Sequence, residues 1–220
     1  MENIHTTGRE ALAGDETAYG PELAPRILCI AGSPRRHGNS ERLLDALIQG
    51  VNNAGGLAEK LVVVEYGITP CRGCNSCSKT GECVIKDRMH EIYALIDTAD
   101  AIVVASPVYF ASVPAVLKTL YDRCQPYWAR RYVLKHEAPH RRPGGMLVVG
   151  GGGDPFGTAC AINPTKSVLA VLGVQYQVEL EVEGPDAPRD IEAYPGDLDM
   201  AESLGSRITR LALNSRSSEH

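Results

Sequence analysis

The stretch Gly32-Ser33-Pro34-Arg35-Arg36-His37-Gly38-Asn39-Ser40 decides how this chain is read. Upstream lies Arg26-Ile27-Leu28-Cys29-Ile30-Ala31, an apolar run of the kind that forms a strand buried on both faces. Downstream, Leu43, Leu44, Leu47, Ile48 and Val51 recur at the spacing of one helical face, over a helix expected at about 39–54. A loop rich in Gly, Ser and Asn therefore joins a strand to a helix N-terminus. Such a junction presents free backbone N–H groups and the positive end of the helix dipole, and it favours an anion. Ser33, Asn39 and Ser40 add side-chain donors, and Arg35 and Arg36 add charge. The bland alternative is a turn whose helix is capped by Asn39 or Ser40. The coincidence of glycine, hydroxyls and cation favours a phosphate site, and the loop lacks the Gly-x-Gly-x-x-Gly of a dinucleotide cradle.

Further strands are expected at Lys60–Tyr66, Ala101–Ala105, Met146–Val149 and Val174–Val182. Helices are expected at Asp87–Thr98, about Pro114–Arg123, about 158–172 and about Asp197–Leu213, with Gly55-Gly56 ending the first helix. This alternation predicts an α/β fold, a parallel sheet with helices on both faces. The dinucleotide-binding order 3-2-1-4-5-6 needs a sixth strand that the sequence does not offer. The order 2-1-3-4-5 makes the first, third and fourth strands neighbours, and these are the strands followed by unusual loops. Residues 1–25 read as an N-terminal arm, 26–213 as one domain and 214–220 as a C-terminal tail; 220 residues suffice for one domain with a large core.

A net charge of −5 argues against a nucleic-acid binder. No apolar run approaches the ~20 residues of a membrane span, and the start of the chain lacks the apolar segment of a secretory signal, so no membrane association and a cytoplasmic location are expected. Of the seven cysteines, Cys71, Cys74, Cys77 and Cys83 cluster, while Cys29 and Cys160 read as core residues. In a reducing compartment a cluster points to metal or redox chemistry rather than to disulfides. Four thiolates can wrap a 4Fe–4S cube, each iron taking one soft ligand. A four-thiolate zinc site and a loop of free thiols are the alternatives left open by spacing alone.

The segments 32–40 and Ser106-Pro107-Val108-Tyr109-Phe110 together resemble the NAD(P)H-dependent FMN reductase family, as do Lys118 and Asp122-Arg123 on the third helix. The cysteine spacings of two, two and five, with Gly73, Gly81 and Asp87-x-Met89, are similar to its iron–sulfur flavoprotein branch. The resemblance covers roughly residues 26–182. It implies a flavodoxin-like three-layer sandwich with a five-stranded parallel sheet in the order 2-1-3-4-5. It implies an FMN cofactor whose phosphate meets Ser33, Arg35, Asn39 and Ser40, with backbone help from His37 and Gly38. The flavin ring would lie against Pro107, Val108, Tyr109 and Phe110 on one side; Tyr109 and Phe110 as plain core is the alternative. The glycines Gly151, Gly152 and Gly153 would let backbone approach its other side, and Asp154 would orient a donor or a neighbouring subunit's group there; a flexible turn is the alternative.

The implied activity is an FMN-dependent NAD(P)H oxidoreductase passing electrons to a quinone, flavin or similar acceptor. The alternative is an electron carrier between FMN and a 4Fe–4S cluster held by Cys71, Cys74, Cys77 and Cys83, serving a protein acceptor. A flavin-free regulator on the same fold ranks below both. No catalytic side chain is needed, because the flavin carries the chemistry. A homodimer or homotetramer is the expected assembly. The sequence departs from the branch in two places. Asp87-Arg88 replaces an acidic pair, and Gln125–Pro143 is long and basic, with Trp128, Arg130, Arg131, Lys135, Arg141 and Arg142. That segment is open to three uses: covering the flavin, meeting a partner subunit or attracting a nucleotide phosphate. The bland reading is a solvated loop.

Overall fold

The computed structural model describes residues 24–137, 140–153 and 155–217. In chain order the elements are β1 (Arg26–Ala31), α1 (Asn39–Asn53), β2 (Leu57–Val62), a 3-10 turn (Val63–Tyr66), α2 (Cys77–Thr80) and α3 (Met89–Thr98). There follow β3 (Ala101–Pro107), α4 (Ala115–Asp122), α5 (Gln125–Trp128), a π turn (Ala129–Val133) and β4 (Arg142–Gly150). The chain closes with α6 (Ala159–Val171), β5 (Val174–Glu183), a second 3-10 turn (Asp190–Ala193) and α7 (Pro195–Ser217). The five strands form one sheet in the order β2-β1-β3-β4-β5, and every pairing is parallel. This is the flavodoxin-like order expected from the sequence.

Each central strand divides its side chains between two cores. Leu28, Ile30, Ile102, Val104, Met146 and Val148 face α3, α4 and α6. Ile27, Cys29, Ala31, Val103, Ala105, Leu147 and Val149 face α1 and α7. Burial on both faces is why these strands read as continuous apolar runs rather than alternating ones. Helices α1 and α7 cross closely at Gly50 and Gly205. A Cβ on Gly205 would stand 2.0 Å from the Leu47 carbonyl oxygen, and one on Gly50 would stand 1.8 Å from that of Glu202. Gly205→Ala is therefore expected to destabilise the protein: overpacking against rigid backbone costs about 1–3 kcal/mol or more, above the ~1 kcal/mol alanine gains in helix propensity. Urea unfolding checks this, and an unchanged or raised midpoint would contradict the close crossing.

Several boundaries differ from expectation for physical reasons. The second strand is Leu57–Val62, not Lys60–Tyr66, because β1 stops at Ala31 opposite Val62 and offers later residues no partner. Val63–Tyr66 turns into a 3-10 helix instead. The fourth strand starts at Arg142 rather than Met146. Its Gly144 and Gly145 look like weak strand formers but sit at a register shift, where a Cβ on Gly145 would lie 1.7 Å from the Val178 carbonyl oxygen. The last helix runs past Leu213 to Ser217. Residues 1–23 of the expected arm, and Asp154, lie outside the described residues.

Candidate functional site

The loops after β1, β3, β4 and β5 meet at the carboxyl edge of the sheet, where open α/β sheets place their ligands. Ser33, Arg35, Gly38, Asn39, Ser40, Pro107, Val108, Tyr109 and Gly151 line a cavity of about 80 Å³ there, with Pro185 and Asp186. It shares Val108, Gly151 and Asp186 with a neighbouring cavity of about 280 Å³, bounded by Gly150–Gly153, Gly157, Thr158 and Glu183. The sequence-derived residues thus assemble at one place, with two exceptions. Phe110 is fully exposed, at φ +48°, and lines neither cavity. His37, at φ +56°, lines neither cavity, and its backbone N–H is taken by the Glu41 carboxylate at 2.6 Å rather than left for a phosphate.

The helix start is arranged to leave its N–H groups open. Gly38 is the N-cap of α1, with extended backbone and no side-chain cap. Ser33 Oγ accepts the Arg35 backbone N–H at 3.0 Å and shapes the turn. Asn39 turns away from the cavity floor: its Nδ2 donates to Ala187 O at 3.0 Å and its Oδ1 accepts the Ile191 N–H at 3.3 Å. It pins the β5–α7 loop that brings Pro185 and Asp186 to the cavity wall. A glycine N-cap with no side-chain acceptor, in a polar cradle, fits a phosphate group.

Glu41 is a supporting residue that sequence reasoning missed. Its side chain is 1% exposed. It accepts the His37 backbone N–H at 2.6 Å, the Arg36 guanidinium at 3.1 Å and the Lys60 ammonium at 2.9 Å. Arg36 also pairs with Glu65, and Lys60 with Asp45. Its signal was present: a Glu three residues after the N-cap has capping-box spacing, although here it reaches one residue further upstream, to His37. Burial alone would raise this carboxyl, but hydrogen bonds from Arg36, Lys60 and His37 outweigh it and hold the pKa at about 2. A depressed folded pKa means the stabilisation is full above the unfolded value near 4.5 and is lost as pH falls toward 2. Glu41→Gln is therefore expected to be less stable at pH 7 and to lose less stability than the parent between pH 5 and 2. Thermal unfolding across that range tests it, and parallel pH profiles would refute the assignment.

The cysteine segment forms a second site. Cys71, Cys74, Cys77 and Cys83 all line one cavity of about 420 Å³, together with Arg72, Ile85, Asp122, Arg123, Gln125 and Trp128. Cys71 and Cys74 are exposed, and Cys77 and Cys83 are half-buried. Desolvation raises the Cys77 thiol, and the nearby Cys71, Cys83 and Cys74 push in the same direction. Ser76 lowers the exposed Cys74 thiol through hydrogen bonding. Among the described residues no three His, Cys, Asp or Glu side chains converge on a single-ion site. Four thiols around one hollow are the soft donor set that a thiolate-held cluster would use.

The basic segment 125–143 divides in two: its helical first part packs against the protein, whereas Tyr132, Val133, Lys135, His136, Glu137, His140 and Arg141 are exposed, as the solvated-loop reading expects. Pro126, Tyr127 and Ala129 are buried, and Trp128 borders the cysteine cavity. Arg130 Nε donates to Gly81 O at 2.8 Å, holding the segment against the cysteine loop. Arg142 is buried in β4. Of the scattered cysteines, Cys29 is buried as expected, whereas Cys160 is only half-buried, with its thiol 3.0 Å from Gly157 O. Among the described residues no helix is long and apolar enough to cross a membrane.

Residues 25–184 match the NADPH-dependent FMN reductase family. An iron-sulfur flavoprotein of Archaeoglobus fulgidus is 36% identical over 81% of this chain and 76% of its own length. An iron-sulfur flavoprotein of Methanosarcina thermophila is 35% identical over 57% of this chain and 63% of its own length, so the match spans under two thirds of that relative. An NAD(P)H:quinone oxidoreductase from Methanothermobacter marburgensis superposes with a TM-score of 0.64 at 18% identity, over 83% of this chain and 96% of that one. This last likeness shows the fold. The chain belongs to the NADPH-dependent FMN reductase family and is a flavin-dependent oxidoreductase.

Proposed function

We propose that this chain binds FMN at the carboxyl edge of the sheet, is reduced by NAD(P)H, and exchanges electrons through a 4Fe–4S cluster on Cys71, Cys74, Cys77 and Cys83. The observation that carries the reading is the gathering of four thiols around one cavity of about 420 Å³, beside a separate carboxyl-edge cradle. When bound, the flavin supplies two-electron exchange with a nicotinamide and one-electron exchange with an iron–sulfur centre. The protein positions it. Ser33, Arg35, Gly38 and Ser40 receive the phosphate at the start of α1. Pro107, Val108 and Tyr109 form an apolar wall for the ring. Gly151, Gly152 and Gly153 offer backbone groups on the adjoining side, where N–H donors stabilise negative charge on a reduced ring.

The names of the relatives support the cluster, and so does the donor set. The flavin and cysteine cavities share no lining residue. That separation, with the fully exposed Phe110 beside the flavin wall, supports a homodimer or homotetramer in which a neighbouring chain shortens the electron path. The terminal acceptor is a small molecule, such as a quinone or flavin, or a redox protein, and the setting is cytoplasmic.

The test is an absorption spectrum of anaerobically purified protein with iron and sulfide assays. Flavin bands with a broad shoulder near 400 nm and about four irons per chain are expected, and NADPH should bleach the flavin. Flavin without iron would overturn the cluster and leave an FMN reductase. A colourless protein that refuses added FMN would overturn the whole reading.

A further inference from the structure

Both ends of the cysteine loop are tied to one buried arginine. Arg123, at the end of α4, has a side chain 1% exposed. Its Nη1 donates to Thr69 O at 2.7 Å, just before Cys71, and to Asp87 Oδ2 at 2.7 Å, just after Cys83. Its Nη2 donates to Asp87 Oδ1 at 3.0 Å, completing a bidentate fork. Asp87 closes the ring itself, because its carboxylate accepts the Thr69 N–H at 2.8 Å and the Met89 N–H at 3.1 Å. The Tyr93 hydroxyl of α3 donates to the Arg123 carbonyl at 2.6 Å and fixes the arginine from the far side. Arg123 also lines the cavity that the four cysteines line. One buried donor, Nε, has no partner among the described residues.

We propose that the Asp87–Arg123 pair is the positioning device of the cysteine site. It holds loop 69–87 closed so that the four thiols face one cavity, and it sets the arginine, the positive end of the pair, beside them. The charge half rests on the reading of that cavity as a metal centre; the closure half does not. The segment between the tied ends contains only the four-residue helix α2 and turns, so little else within it fixes the spacing of Cys71 and Cys83. A guanidinium at the cavity wall favours the more negative state of whatever the thiolates hold.

The test uses the full chain. In metal-free, reduced protein, trypsin sites at Arg72 and Lys79 report opening of the loop, and Arg207 and Arg210 in α7 report global unfolding. Losing a buried charged hydrogen bond worth about 1.5–3 kcal/mol should speed loop cleavage roughly tenfold or more in Asp87→Asn. Cleavage in α7 should stay unchanged. Arg123→Lys, which keeps charge but loses the fork, should also open the loop. Equal loop cleavage in parent and variants would overturn the closure. After anaerobic loading with ferrous iron and sulfide, the reduction potential separates charge from shape. Asp87→Asn should raise it and Arg123→Gln should lower it, although both loosen the loop. Shifts of the same sign would overturn the charge half. If the parent takes up no iron, the metal-centre reading falls and the charge half with it, while the digest still decides the closure. Should Arg123→Gln fail to fold, Arg123→Lys is expected to keep the parent potential.

Discussion

Arg142→Ala is expected to be the most destabilising single change in this chain outside the central apolar core. The arginine opens β4 and is buried. Its Nη1 donates to Ile96 O and to Ala99 O at 2.8 Å, and its Nη2 donates to Leu172 O at 3.0 Å. Ile96 and Ala99 lie at the end of α3, and Leu172 is the C-cap of α6. One guanidinium thus donates to carbonyls at two helix C-termini and lies at the negative end of both dipoles. None of the ion pairs among the described residues involves Arg142, and burial pushes its pKa down from the ordinary value. Alanine would strip the Ala99 and Leu172 carbonyls of this donor, leave Ile96 O only the Ala99 N–H at 3.4 Å, and open a void in place of the side chain, a loss of about 3–5 kcal/mol. Against a total stability of about 5–15 kcal/mol, this lowers Tm by on the order of 10 °C. Arg142→Lys should recover part of the loss, since an ammonium cannot reach both helix ends at once. Urea unfolding measures both, and a loss below about 1 kcal/mol for alanine would show that water caps those helix ends equally well.

Arg142 also shows where sequence reading stops. A charged residue in a run with Arg130, Arg131, Lys135 and Arg141 looks like solvated surface, and its partners are 30 to 46 residues away along the chain. Nothing local marks it. The strands β1 and β3 were legible for the opposite reason, because a strand covered on both faces must be apolar throughout. The order of the sheet followed from which loops carried chemistry. The end of β2 was not legible, because it depends on where β1 turns away, and a run such as Leu61-Val62-Val63-Val64 satisfies strand propensity beyond the last available partner. At the carboxyl-edge cavity the lining residue types were legible, but the contacts each one makes were not. Asn39 looked like a phosphate donor, yet its amide secures the loop at Ala187 and Ile191. The cysteine spacing marked four residues that line one cavity. That Asp87 and Arg123 close it across 36 positions required the fold.

Gly38→Asp is expected to separate helix stability from flavin binding. Gly38 has ordinary extended backbone at φ −76°, and a Cβ there would come no closer than 3.4 Å to the Arg35 carbonyl oxygen. Aspartate therefore fits, and as an N-cap it should strengthen α1 by a few tenths of a kcal/mol relative to glycine. The same carboxylate would occupy the N–H groups proposed to receive the phosphate and would repel its charge. Losing charge-assisted bonds worth about 1.5–3 kcal/mol apiece should weaken FMN binding on the order of 100-fold or more. Riboflavin, which has the ring without the phosphate, should bind parent and variant alike. Titration of flavin-free protein with both ligands, followed by flavin fluorescence, supplies the comparison, and thermal unfolding confirms that the variant folds. If FMN binds the variant as tightly as the parent, the phosphate lies away from α1. If riboflavin and FMN lose affinity together, the aspartate has displaced the ring wall and the phosphate assignment loses its support. Loss of FMN alone, in a protein at least as stable as its parent, would place the phosphate on the backbone N–H groups that glycine leaves open.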